Sequence, residues 1–284
     1  MGTDNGLFWT TKNDGKDWTD YSKGLPNAYM RSIAPSNFKN GRVYVALTGI
    51  NYDDMDSHLF VSENFGANWK SISTNLPDEP VNVIAEDPIH QNILYAGGYK
   101  GLYVTINQGK SWNYFGNGMP LISISDIEFH RNSGDLIVST HGRGIYLFNL
   151  LPFYEMQDLD SDKNHLLSIP IGTSPESIHS GIIPNYSSVE KLVFSFWLNK
   201  EMNIKCSIYD SEDQVIFQTE LNRKKGFNQF RWDLILEKTE SDMPYFIHYD
   251  KFIEAGNYKV ILEVGNKQLS RELTIINNKS PKTR

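Results

Sequence analysis

With a single cysteine, Cys206, this 284-residue chain cannot close a disulfide within itself. Cys206 stands in the alternating run Ile204-Lys205-Cys206-Ser207-Ile208, which fits a small strand residue better than a nucleophile or a metal ligand. Long apolar runs are missing as well. Residues 1–20 are polar and hold no stretch of leader type, and no later segment approaches a membrane span, so membrane insertion is not expected. Basic runs are also absent. At a formal net charge of −7 the chain lacks the footprint that draws proteins to phosphate backbones, and nucleic acid is not an expected partner. The seven histidines show no zinc-ligand spacing, and neither a nucleophile elbow nor a phosphate loop occurs, so no cofactor is expected.

What the chain does have is aromatic residues: 15 Tyr, 15 Phe and 6 Trp within a 39% hydrophobic composition, a balance that favours strands over helices. Its length suffices for two domains, each with its own core.

Internal repeats settle the architecture of the first half. Thr11-Lys12-Asn13-Asp14-Gly15-Lys16-Asp17-Trp18, Ser62-Glu63-Asn64-Phe65-Gly66-Ala67-Asn68-Trp69 and Thr105-Ile106-Asn107-Gln108-Gly109-Lys110-Ser111-Trp112 share one pattern, Ser/Thr-x-Asn-x-Gly-x-x-Trp. The starts, at residues 11, 62 and 105, lie 51 and 43 residues apart, a blade-sized period. In each copy the hydroxyl and the Asn supply side-chain hydrogen bonds to a turn, Gly takes the left-handed conformation that closes it, and Trp packs between blades. Each follows a short strand, at Phe8-Trp9-Thr10, Leu59-Phe60-Val61 and Leu102-Tyr103-Val104. Each Trp is followed eight residues later by Pro26, Pro77 or Pro120, and seven residues beyond that by Ile33, Ile84 or Ile127 in a further strand. Another strand follows each of these, at Val43–Ala46, Ile93–Ala96 and Leu136–Ser139, and with the two strands of the box hairpin each unit has four.

The expected fold is therefore all-β: a partial propeller of about three blades over residues 1–150, a linker at 151–166, a β-sandwich at 167–278 and a polar tail at 279–284. Closed propellers typically need four to eight blades, so remaining blades are expected in cis or by self-association. The linker reading rests on the polar run Asp158-Leu159-Asp160-Ser161-Asp162-Lys163-Asn164. Sandwich strands are expected at Val193–Leu198, Ile204–Tyr209, Val215–Thr219, Phe227–Leu234, Tyr258–Val264 and Glu272–Ile276, with Trp232 plugging the core and Gly256 making a turn.

The three turns resemble the Asp-box, or bacterial neuraminidase repeat, of sialidases, two-propeller xyloglucanases and the sortilin ectodomain. Asn75-Leu76-Pro77, Val83-Ile84-Ala85-Glu86-Asp87-Pro88, Gly101-Leu102-Tyr103-Val104 and Thr140-His141-Gly142-Arg143-Gly144-Ile145 look like the last blades of large bacterial sortilin-like proteins labelled glycosyl hydrolases, in which a β-sandwich follows. Gly226 to Asp233 and Ala255 to Tyr258 look like immunoglobulin-like or fibronectin-like modules. The resemblance implies an extracytoplasmic home. It fixes blade architecture and is almost silent on chemistry.

Ligands usually meet a propeller at the loops opposite the Asp-box turns: Gly49 to His58, Gly97 to Gly101, Thr140 to Arg143 and the Pro-containing connections. The first gathers Tyr52, Asp53, Asp54, Asp56 and His58. Its carboxylates could serve as glycosidase acid and base, could hold calcium through oxygen, or could be merely solvated; the spacing lacks the glycine and terminal Glu of a calcium hand. In His141-Gly142-Arg143-Gly144 the two glycines let the backbone turn tightly and leave His141 and Arg143 beside the funnel, where Arg143 could hold a ligand carboxylate or pair with Asp126 or Glu128. Tyr99 and Lys100, with Tyr52, could add a stacking wall for sugar or peptide. The expected function is a binding or scaffold segment presenting this funnel to a peptide or glycan. The rival is the C-terminal part of a secreted glycoside hydrolase.

Overall fold

In the computed structural model, which describes residues 1–117, 119–130, 132–174, 191–237 and 251–277, the aromatic and β-branched runs form short antiparallel strands. Contacts divide the chain into two units, Met1–Leu159 and Asp160–Arg284, at a boundary inside the polar run. No helix among the described residues is long and apolar enough to cross a membrane.

The first unit is a partial propeller. Trp9–Thr10 and Thr19–Asp20 make a two-stranded ribbon. Tyr29–Pro35, Val43–Thr48, His58–Ser62 and Lys70–Ser71 follow as a four-stranded meander. Val81–Glu86, Leu94–Gly98, Leu102–Thr105 and Asn113–Asn117 repeat that order, and Ile124–His130, Asp135–Thr140 and Ile145–Asn149 form the last sheet.

Cores lie between successive sheets, because alternate residues of one strand point to opposite faces. Val43, Val45 and Leu47 pack with Phe8 and Met30 on one side, while Tyr44 and Ala46 pack with Ile84, Leu94 and Trp112 on the other. Each buried Val, Leu or Ile contributes roughly 1.5–3 kcal/mol relative to exposure. Polar locks join the same sheets: the buried Glu86 carboxylate accepts from Ser36 Oγ at 2.8 Å, Asn37 N–H at 2.7 Å and Tyr44 OH at 3.2 Å.

The three repeated turns share one hydrogen-bond pattern. Thr11, Ser62 and Thr105 accept from the glycine N–H four residues on, at 3.0, 2.8 and 3.0 Å. Asn13, Asn64 and Asn107 accept from the N–H of Asp17, Asn68 and Ser111 at 2.9, 3.0 and 2.9 Å. Gly15, Gly66 and Gly109 are left-handed, as expected; so are the residues before them, Asp14, Phe65 and Gln108, which the motif alone does not announce. Two successive left-handed residues match the right-handed twist of the flanking strands.

The segment read as a linker starts differently. Leu151–Tyr154 is a helical turn with Pro152 near its start, and Glu155–Gln157 continues it as 3₁₀ helix. Phe153 and Met156, three residues apart, are buried on one face. Phe153 meets Phe115 and Tyr95 at ring-centroid distances of 5.3 and 6.4 Å. The polar run that suggested a linker begins only at Asp158.

The second unit is a β-sandwich. One sheet pairs Leu192–Leu198 with Gly226–Trp232 and His165–Leu166; the other runs Gly172–Ser174, Lys267–Asn277, Gly256–Val264, Met202–Tyr209, Val215–Arg223. Its core joins Phe194, Phe196, Ile204, Ile208, Val260 and Leu273 around Trp232, whose ring lies 4.7 Å from Phe217 of the facing sheet. Gly256 opens the first strand of the last hairpin, just after the bend at Ala255, and the hairpin itself turns at Gly265. Burial pushes the Cys206 thiol up to about 12, so it stays protonated as a small core residue. The tail expected at 279–284 lies outside the described residues.

Candidate functional site

In a four-stranded meander the first and third hairpins share one end and the second hairpin lies at the other. The Ser/Thr-x-Asn-x-Gly-x-x-Trp turns therefore occupy one end of the propeller. The turns Gly49–Ser57, Tyr99–Gly101 and His141–Gly144 occupy the opposite end, with the connections between sheets.

The first of these turns folds as a 3₁₀ helix, Ile50–Tyr52, ended by Asp53 in a left-handed conformation. Asp54 turns inward: Oδ2 lies 2.6 Å from His58 Nε2, and Oδ1 accepts from Asp56 N–H at 2.9 Å. The bond from His58, then that amide, hold the Asp54 carboxyl below the usual carboxylate range. Asp53 and Asp56 stay at solvent, as does Tyr52 at 57% exposure. The three carboxylates are thus not assembled as a set, and no three His, Cys, Asp or Glu side chains among the described residues gather as a metal's ligands would.

Ser57 ties this turn to the next connection, its hydroxyl lying 2.8 and 2.7 Å from the carbonyl oxygens of Pro77 and Glu79. Glu79 itself escapes the sequence reading, although Asp78-Glu79-Pro80 lies in a Pro-containing connection already expected at this end. Its side chain is fully buried at the entry to Val81–Glu86, with Oε1 against Gly98 so closely that a Cβ there would lie 2.3 Å away. The Tyr103 hydroxyl and the Lys100 N–H face it, yet among the described residues neither oxygen has a partner in good hydrogen-bond geometry. Burial raises its carboxyl above the ordinary glutamate range, against the opposing pull of those two donors.

Tyr99 is half-buried, its N–H donating to Pro80 O at 3.1 Å, and Lys100 is exposed at the turn tip. In the last sheet His141 N–H donates to Ser123 O at 2.9 Å, leaving the His141 and Arg143 side chains at solvent. Arg143 makes no ion pair among the described residues: Asp126 and Glu128 accept instead from the N–H of Ile127 and Phe129, at 2.9 and 3.3 Å. The end as a whole offers exposed cations and rings, the solvent-facing carboxylates of Asp53 and Asp56, one carboxylate hydrogen-bonded to a histidine, and one carboxylate beneath the surface. Such groups can hold a ligand.

No protein-family model matches the chain, and no curated protein matches its sequence. Solved structures similar to it include the GH74 xyloglucanase from Xanthomonas campestris, at 12% identity over 95% of this chain and 41% of that one, with a TM-score of 0.42. The extracellular domain of BT4673 from B. thetaiotaomicron is 10% identical over 98% of this chain and 36% of its own, with a TM-score of 0.37. The Niastella koreensis GH74 enzyme is 9% identical over 95% and 51%, with a TM-score of 0.33. The chain spans between about a third and half of the length of these structures.

Proposed function

We propose that this chain is the binding segment of an extracytoplasmic, sortilin-like Asp-box propeller protein, and that the turns opposite the boxes hold a peptide or glycan bearing a carboxylate. The observation that carries this reading is Arg143, an exposed guanidinium without an acidic partner among the described residues, on the second hairpin of its sheet. A guanidinium takes a carboxylate through two parallel hydrogen bonds, and tyrosine rings offer sugar or peptide an apolar face with a polar edge. Tyr52 and Tyr99 stand on the corresponding hairpins of the two preceding sheets.

Arrays of acidic glycans and of peptides with free C-termini test the reading. Arg143→Ala is expected to weaken the ligand found there by roughly 10- to 100-fold, the worth of a charged hydrogen-bonded pair, with the thermal midpoint unchanged. Absence of any ligand from both arrays, or binding indifferent to Arg143→Ala and Tyr52→Ala alike, refutes it. Turnover of a polysaccharide that is lost in Asp53→Asn, Asp54→Asn or Asp56→Asn would move the assignment to hydrolysis.

A further inference from the structure

The tryptophans of the three repeated turns do not have equivalent partners. The Trp69 indole N–H donates to Tyr21 O at 2.8 Å, and that of Trp112 donates to Ile72 O at 2.6 Å. Tyr21 and Ile72 each stand three residues after the preceding tryptophan, Trp18 and Trp69, so one register is used twice: each turn grips the outer strand of the sheet before it. The glycines mark the same contact. A Cβ on Gly66 would lie 2.7 Å from Phe8, and a Cβ on Gly109 would lie 2.7 Å from Ile72.

The first turn has the same internal hydrogen bonds as the other two but not this contact. Trp18 donates to Gly15 O of its own turn at 3.1 Å and is 45% exposed, whereas Trp112 is 3% exposed. Only Trp18 itself, at 3.9 Å, lies near the place of a Gly15 Cβ. An indole half in water on a face that is elsewhere a blade interface is unspent apolar area.

We propose that the face formed by Gly15 and Trp18 docks the outer strand of a further blade of the same kind, joined ahead of residue 1 in the polypeptide. That strand brings an apolar side chain onto Gly15 and a main-chain carbonyl to the Trp18 indole N–H, as Ile72 does for Gly109 and Trp112. The inference rests on the blade contacts and is independent of the ligand proposed for the opposite end.

Tryptophan oxidation by N-bromosuccinimide, read by peptide mass spectrometry, tests it. In the polypeptide of residues 1–284, Trp18 is expected to react fastest of the three turn tryptophans and Trp112 slowest. In the product of the complete reading frame, Trp18 slows to the rate of Trp112. There, Trp18→Ala also lowers the thermal midpoint, while the same change in residues 1–284 leaves it in place. Undiminished reactivity of Trp18 in the complete product, or a reading frame that starts at Met1, overturns the proposal. So does concentration-dependent protection of Trp18 in residues 1–284 alone, which would give the face to a second copy.

Discussion

Asp87 offers the sharpest test of how the propeller holds its last elements. Its carboxylate is fully buried and accepts four hydrogen bonds. Oδ1 takes the N–H groups of Ile89 and His90, both at 2.9 Å, and Oδ2 takes the hydroxyls of Tyr95 at 3.3 Å and Tyr154 at 3.0 Å. Tyr154 lies 67 residues away, so this bond fastens the Leu151–Tyr154 turn to the middle blade. Tyr154→Phe removes one donor, leaves Asp87 three, and keeps the ring that packs 4.5 Å from His90. The expected cost is about 1–2 kcal/mol, the range for a hydrogen bond to a charged group with one side partly wet. Asp87→Ala removes all four bonds and strands the buried Tyr95 hydroxyl, for about 3–5 kcal/mol. The double variant should cost no more than Asp87→Ala, because the Tyr154 hydroxyl then has nothing to lose. Urea unfolding followed by fluorescence gives the free energies, and hydrogen exchange at Leu94–Gly98 and Leu150–Gln157 assigns the transition to this unit. Tyr154→Phe within about 0.3 kcal/mol of the parent, or strictly additive costs, would refute the reasoning.

Two further outcomes follow from the same physics. Burial raises the Glu79 carboxyl in the folded state, so the stability tied to its protonated form is full below the ordinary glutamate pKa and is lost as pH rises through the raised folded value. Glu79→Gln should therefore be more stable than the parent at pH 7 and flatten the pH dependence above about 4.3; a variant with the parent's slope would count against it. Gly109 and Gly144 share a φ of +79°, but a Cβ on Gly109 would lie 2.7 Å from Ile72 while one on Gly144 would meet nothing. Alanine should cost about 2–4 kcal/mol at Gly109 and about 1 kcal/mol at Gly144, measured by chemical denaturation, and equal costs would sink the interface reading.

What was legible in the sequence is what is local. The repeated turns, the strand beside each, and the alternation that divides Val43–Thr48 between two cores all repeat within a few residues. The partner of a buried charge is not local: Glu86 finds Ser36 and Tyr44 about fifty and forty residues away, and Asp87 finds Tyr154 farther still. Nothing in the composition near Glu79 announces that its carboxylate will be covered, since that depends on Gly98 and Tyr103 closing over it. At the candidate site, grouping Asp53, Asp54 and Asp56 by proximity in sequence was sound for the backbone and misleading for the side chains. A left-handed Asp53 sends Asp54 inward to His58 and leaves its two neighbours in water.

The unequal repeat lengths bear on the end proposed to hold the ligand. The first two boxes lie eight residues farther apart than the second and third, 51 against 43. The hairpins at the box end, 36–42 and 87–93, are both seven residues long and contribute nothing to that difference. The hairpins at the other end are nine residues, Gly49–Ser57, and three, Tyr99–Gly101, which accounts for six of the eight. Loop closure makes extra length cheap, so an insert of this size need not be retained for stability. In repeat architectures insertions collect on one face, often the binding face. Here the insert carries Tyr52 and Asp54, beside His58 at the start of the next strand, to the same end as Arg143. At the box end Glu86 and Asp87 are satisfied within the fold, and the lengthened end is the one proposed above to hold the ligand.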